Sequence, residues 1–193
     1  MNFLAHLYLA GKEEDLIIGN FIADSVKGKK YLDYSEGISQ GILMHREIDF
    51  FSDNNPIYLK SVHRLQPKYG KYSGIITDMF FDYLLANNWQ QFSDINLEKF
   101  CKNSYSTLSK NKKKMPEESQ MILHHMMNND WLSSYKYSVG IRLSLEGMSK
   151  RMKYYFPMDK AVDELENNPE LYNRDFLEFF PLLIKHVEHF KTK

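Results

Sequence analysis

The chain has 193 residues, with 25 basic and 25 acidic side chains and a formal net charge of zero. That length suits one domain with a sizeable core, and the charge balance excludes a global field drawing nucleic acid or an acidic membrane. Apolar residues make up 43% and aromatics 15%, which excludes a disordered composition, while nine Gly and six Pro are too few for a many-turned β fold.

The opening stretch, "MNFLAHLYLAG", is apolar and short. It lacks a basic leader, and Glu13, Glu14 and Asp15 follow at once, so it reads as a helix over 2–10 and not as a signal peptide. No run approaches the ~20 apolar residues that span a bilayer. His6 lies inside this first helix. A second helix is expected over 13–27, where "IIGNFIAD" sets Asn20 and Asp24 four residues apart among apolar neighbours.

The third helix, over 35–50, contains "GILMHREIDFFSD". With Ile38 at zero and about 100° per residue, Ile42 falls near ~40°, His45 near about −20° and Asp49 near ~20°. His45 and Asp49 therefore share the apolar stripe, and Arg46 and Glu47 rotate away from its centre. Helices over 55–68 and 71–90 follow. In the latter, "ITDMFFDYLLANNW" puts Asp78 and Asp82 on one face that Leu85 and Trp89 continue. Two carboxylates on an apolar stripe repel and lose hydration, so they require a proton, a cationic partner or a metal.

A helix over 96–109 leads to "SKNKKKMPEES", Ser109 to Ser119, an exposed lysine-rich loop in which Pro116 suits the first turn of the next helix. Helices over 117–129, 131–153 and 158–190 complete the chain, the last with breaks expected at Pro169 and Pro181. Period-two alternation is sustained nowhere. The expected architecture is a single all-α domain over 1–193, a helical bundle. The lone Cys101 cannot form an intrachain disulfide and suits a reducing cytoplasm.

Each inward polar residue has a bland reading as a hydrogen-bonded core residue, and Asp78 or Asp82 can pair with Arg46 or Arg64. Four helical segments, however, each put His, Asp or Asn on an apolar stripe, and stripes of one domain meet. Two His and several Asp converging make a mixed N/O set suited to Mn²⁺, Fe²⁺, Zn²⁺ or Mg²⁺. A divalent ion activates water and neutralises phosphoryl oxygens, so phosphoester hydrolysis is the natural reaction. No Gly-rich phosphate loop is present.

"MNFLAHLYLAG", "IIGNFIADSVKG", "GILMHREIDFFSD", "ITDMFFDYLLANNW" and "GMSKRM" together resemble the acyl carrier protein phosphodiesterase family, strongly over residues 1–90 and weakly beyond. The resemblance implies an all-α fold related to the HD-domain metal-dependent phosphohydrolases. It implies manganese-dependent removal of 4′-phosphopantetheine from holo acyl carrier protein, a reaction of carrier-protein turnover in fatty acid biosynthesis. Carried over, Asp24, His45, Asp49 and Asp78 become the metal ligands. His6 and Asp82 become proton-transfer residues, with Asn20 behind them. Arg46, and Arg151 of "GMSKRM", become phosphate contacts. Carrier proteins are acidic, so Lys27, Lys29 and Lys30 form a candidate steering patch. The family often has His where this chain has Tyr8 and Tyr83, which puts the strength of activity in question. Two other functions stay open on these residues: a phosphohydrolase of small phosphoesters or nucleotides, and a non-catalytic carrier-protein-binding protein.

Overall fold

The helical periodicity becomes eleven α-helices and several 3₁₀ turns in the computed structural model, which describes residues 1–192. They are α1 (Phe3–Ala10), α2 (Glu14–Ile22), α3 (Glu36–Asn54), α4 (Pro56–Tyr69), α5 (Ser73–Asn87), α6 (Leu97–Lys110), α7 (Glu117–Asn128), α8 (Trp131–Ser134), α9 (Ser138–Arg151), α10 (Val162–Asn167) and α11 (Pro169–Lys191). No strand occurs among the described residues. Local chemistry sets several starts. The Asn55 side chain accepts from the Ile57 amide at 2.9 Å just before Pro56, and Asn96 accepts from the Lys99 amide at 2.8 Å.

Helix α5 runs through the interior, burying Ile76, Met79, Phe80, Phe81, Leu84 and Leu85 on more than one face. Amphipathic α11 lays Tyr172, Phe176, Phe179, Phe180 and Leu183 along it, and the Phe81 and Phe176 rings meet edge to face at 5.5 Å. Full burial of each such ring contributes about 2 kcal/mol. This packing explains one departure from expectation: α11 runs unbroken through Pro181 because Phe179, Phe180 and Leu183 hold both halves against the core. The break at Pro169 occurs as expected, with that proline opening α11.

Two other expected helices are shorter than the pattern implied. The stretch over 131–153 divides into α8 and α9 because Tyr135 turns into the core and Tyr137 adopts extended backbone; no Gly or Pro marks that bend. The second helix ends at Ile22 and tightens into a 3₁₀ turn, Ala23–Ser25, which carries Asp24 outward. The lysine-rich stretch is loop and 3₁₀ turn, anchored by buried Met115.

One close approach positions the site. A Cβ on Gly19 of α2 would lie 2.1 Å from the Ile38 carbonyl oxygen, and one on Gly41 of α3 would lie 2.6 Å from the Leu16 carbonyl oxygen. Hydrogen in place of methyl at both positions lets the two backbones nearly touch. Asn20 of α2 thereby comes within hydrogen-bond reach of His45 on α3.

Candidate metal centre

His6 comes from α1, Asn20 from α2, Asp24 from the 3₁₀ turn, His45 and Asp49 from α3, and Asp78 from α5. They converge on one cavity of about 910 Å³. The His6 and His45 rings stack at 3.9 Å, both buried. His45 donates from Nδ1 to the Asn20 carbonyl oxygen at 2.9 Å, which fixes its proton there and turns Nε2 toward Asp49 Oδ2 at 3.1 Å and Asp24 Oδ1 at 3.5 Å. His6 has Asn20 Oδ1 at 2.8 Å from Nδ1, and both the Met1 carbonyl oxygen (3.1 Å) and Asp49 Oδ1 (3.2 Å) near Nε2.

Every ring nitrogen of the pair therefore faces oxygen. A neutral imidazole carries one proton, so each ring has one lone pair against oxygen lone pairs unless a cation intervenes. One divalent ion meets that requirement, and so does a second proton on His45 with the Asn20 amide turned to present its unpartnered Nδ2 to His6. Burial, reinforced by the adjacent His45, pushes His6 down to about 4, so His6 does not carry a second proton near neutrality. Burial also opposes charge on His45, but hydrogen bonds to Asp24 and Asp49 outweigh it and raise its pKa to about 9. Burial opposes ionisation of Asp49 as well; hydrogen bonds from His45 and His6 overcome that and hold it well below the usual carboxylate range. Ligand atoms of His6, His45 and Asp49 all lie within 4.8 Å of one another, an arrangement that could hold a metal ion. A buried Asn20 Nδ2 without a hydrogen-bond partner lies behind it.

Asp24, with 77% of its side chain exposed, stands at the rim within reach of His45; its hydrogen bond with His45 lowers its pKa. Asp78 has other partners. The Met1 amino group lies 2.7 Å from its Oδ1 and 3.5 Å from Asp49 Oδ1, and Tyr58 donates its hydroxyl to Asp78 at 2.6 Å. Burial opposes charge on that ammonium, but Asp78 and Asp49 prevail and raise its pKa from 8.0 to about 10.

Other expected site residues lie elsewhere. Asp82 is fully buried outside the cavity lining and accepts the Leu4 and Ala5 amides at 2.8 and 3.2 Å. It satisfies the otherwise unpaired first turn of α1. Arg46, expected as a phosphate contact, has other partners. It donates to the Val26 carbonyl oxygen at 2.8 Å, packs over the Tyr31 ring at 5.3 Å and does not line the cavity. Lys27 turns back onto the Asp24 carbonyl; Lys29 and Lys30 are exposed, and none of the three lines the cavity. Arg151 does line it. Tyr8 bonds the Phe92 carbonyl at 2.7 Å and Tyr83 packs against the core, both away from the histidines.

Sequence reasoning missed the Met1 amine, Tyr58, Asp53, Lys71 and His125. The opposite wall is apolar, formed by Ile75, Met121, Ile122, Trp131 and Met148. Five carboxylates (Asp24, Asp49, Asp53, Asp78 and Glu118) line the cavity against the Met1 amine, Lys71 and Arg151. An anionic substrate is repelled there unless a further cation joins.

The sequence model for acyl carrier protein phosphodiesterase matches residues 1–183. An acyl carrier protein phosphodiesterase of Photorhabdus laumondii is 27% identical over 98% of this chain and 96% of its own length. Those of Yersinia pestis (28% identical, 98% of each chain) and Serratia proteamaculans (27%, covering 97% of this chain and 98% of the relative) are similar throughout. No solved structure matches. The convergent histidine–carboxylate cage thus belongs to a chain aligned over nearly its whole length, and the chain belongs to the acyl carrier protein phosphodiesterase family.

Proposed function

We propose that the protein hydrolyses the phosphodiester joining 4′-phosphopantetheine to a serine of holo acyl carrier protein, releasing the apo carrier protein. The observation that carries the reading is the stacked His6–His45 pair, whose four ring nitrogens all face oxygen, beside Asp49 in a cavity rich in carboxylates. That donor set fits a hard to borderline divalent ion, and manganese is the ion we assign. When bound, such an ion supplies an activated water and neutralises charge on the phosphoryl oxygens.

His6, His45 and Asp49 would hold the ion, with Asp24 closing the site from the rim. Asn20 orients both rings through its carbonyl and side-chain oxygens. Asp78, fixed by Tyr58 and the Met1 amine, borders the reacting centre. Lys71 and Arg151 are the side-chain cations available to phosphate oxygens, and the Ile75–Met121–Trp131 wall suits the pantetheine arm. The group joins His6 of α1 to His45 and Asp49 of α3, and the four-residue His45–Asp49 spacing differs from the adjacent His and Asp of HD-domain phosphohydrolases. No helix among the described residues is long and apolar enough to cross a membrane, and a carrier-protein substrate with a free, buried Cys101 supports a cytoplasmic setting for carrier turnover in fatty acid biosynthesis.

The test is incubation with holo carrier protein and Mn²⁺, followed by intact-mass spectrometry of the carrier, beside a His45→Ala/Asp49→Ala variant. The expected result is loss of the phosphopantetheine mass with the wild type only. Faster turnover of a nucleotide phosphodiester would favour the small-substrate phosphohydrolase. Tight carrier binding without turnover under any divalent ion would favour the non-catalytic binding protein.

A further inference from the structure

We infer that the carrier protein docks on the C-terminal end of α9 and the turn that follows, Lys150–Tyr155; this inference rests on the function proposed above. Within these six residues Lys150, Arg151 and Lys153 are exposed cations, Lys150 pairing with Glu146 one turn earlier at 2.7 Å and leaving Arg151 and Lys153 without an acidic partner among the described residues. Tyr154 and Tyr155 are 75% and 63% exposed, two adjacent large rings at the surface, with the Lys153 ammonium 5.5 Å over the Tyr154 ring. Tyr and Arg are the side chains that dominate binding energy at protein interfaces, and a cationic rim matches an acidic partner.

Continuity with the cavity distinguishes this patch from other lysine-rich surface. Arg151 and Met148 line the cavity itself. Across its mouth stands Lys71, and the neighbouring Tyr72 ring packs on Phe156 at 4.5 Å, which joins the start of α5 to the turn after α9. The outer face of α9 extends the patch: Val139 and Leu143, each 61% exposed, share a helical face with Lys150. A substrate whose scissile serine lies on the carrier's surface requires the carrier to sit against the cavity mouth. The Lys27–Lys30 turn touches the rim only through Lys27 on the Asp24 carbonyl, puts no lysine in the cavity lining and has no exposed aromatic side chain of its own.

The test compares Lys150→Glu/Lys153→Glu, Tyr154→Ala/Tyr155→Ala and Lys29→Glu/Lys30→Glu with the wild type. Each is assayed with holo carrier protein and with a short serine peptide bearing 4′-phosphopantetheine. The first two variants should raise KM for the carrier about tenfold, more steeply at low salt, while turnover of the peptide and Mn²⁺ affinity stay at wild-type values. The third should match the wild type. An unchanged KM in both α9 variants, or an equal loss on the peptide, overturns the docking surface. If the wild type cleaves neither substrate, the proposed reaction fails, and calorimetric binding of holo carrier to the same variants still decides the docking: unchanged affinity overturns it.

Discussion

Asp82 provides a sharp separation of structural from chemical roles. It is fully buried, and its surroundings raise its pKa from 3.8 to about 7, because burial outweighs the Leu4 and Ala5 amides and the Met1 ammonium that favour the charge. A carboxyl whose folded pKa lies above its unfolded value binds more protons in the folded state, so stability falls as pH rises from about 4 to about 7. Relative to strong acid, one such group lowers stability by about 2 kcal/mol at pH 5 and about 4 kcal/mol at pH 8. Asp82→Asn removes this titration; its single oxygen keeps one of the two α1 amides and its NH2 faces the other, a cost that does not change with pH. Urea unfolding of both proteins in EDTA, from pH 5 to pH 8, should therefore find the variant gaining about 2–3 kcal/mol on the wild type across that range. Carrier-protein turnover with saturating Mn²⁺ should remain within about threefold of wild type, since a group outside the cavity adds little to the barrier. A pH-independent difference in stability would refute the desolvated carboxyl. A hundredfold loss of kcat in a folded Asn variant would return Asp82 to the chemistry.

Two further outcomes test the scaffold. Gly19→Ala adds a methyl 2.1 Å from the Ile38 carbonyl oxygen, so α2 and α3 must separate; we expect a loss of about 3 kcal/mol or more in urea unfolding, with weakened Mn²⁺ binding by calorimetry as Asn20 withdraws from His45. A glycine added ahead of Met1 turns the ammonium beside Asp78 and Asp49 into a neutral amide; kcat/KM for the carrier should fall about tenfold or more, an effect of about 1.4 kcal/mol, whereas a glycine added after Lys193 should leave it unchanged.

What the sequence revealed followed from periodicity. The stripe Ile38–Ile42–His45–Asp49 fixed the inward direction of a histidine and an aspartate before any tertiary contact was known, and His45 is indeed buried with Asp49 half-buried beside it. The same argument treated Asp78 and Asp82 as equivalent, which they are not. A position four residues along a helix shares a face but not a neighbour. Asp82 meets the first turn of α1, while Asp78 meets the Met1 amine and Tyr58. For a related reason, nothing local signals that the Val26 carbonyl, twenty residues earlier, accepts from the Arg46 guanidinium. Tyr58, Lys71 and His125 carried no periodic signal, because their relevance arises only when α4, α5 and α7 close around one cavity.

The polar cage and the apolar core depend on each other. Burying two imidazoles and a carboxylate beside Ile38, Ile42 and Leu4 is costly unless each polar atom has a partner. The Gly19–Gly41 contact supplies one, since only backbones this close let a main-chain carbonyl of α2 fix the His45 ring of α3. The 3₁₀ turn after α2 supplies a second by bringing Asp24 to the rim, where hydration lessens the cost of another carboxylate close to Asp49. The remaining imbalance has two parts: His45 Nε2 faces the Asp49 and Asp24 carboxylates, and His6 Nδ1 faces the Asn20 side-chain oxygen, while Asn20 Nδ2 has no hydrogen-bond partner. A second proton on His45, whose pKa is raised to about 9, together with a turned Asn20 amide answers both, and a divalent ion between the rings and Asp49 answers them with one charge. The fold thus brings His6, His45 and Asp49 together, on the wall of the cavity, as a group that could hold a metal ion.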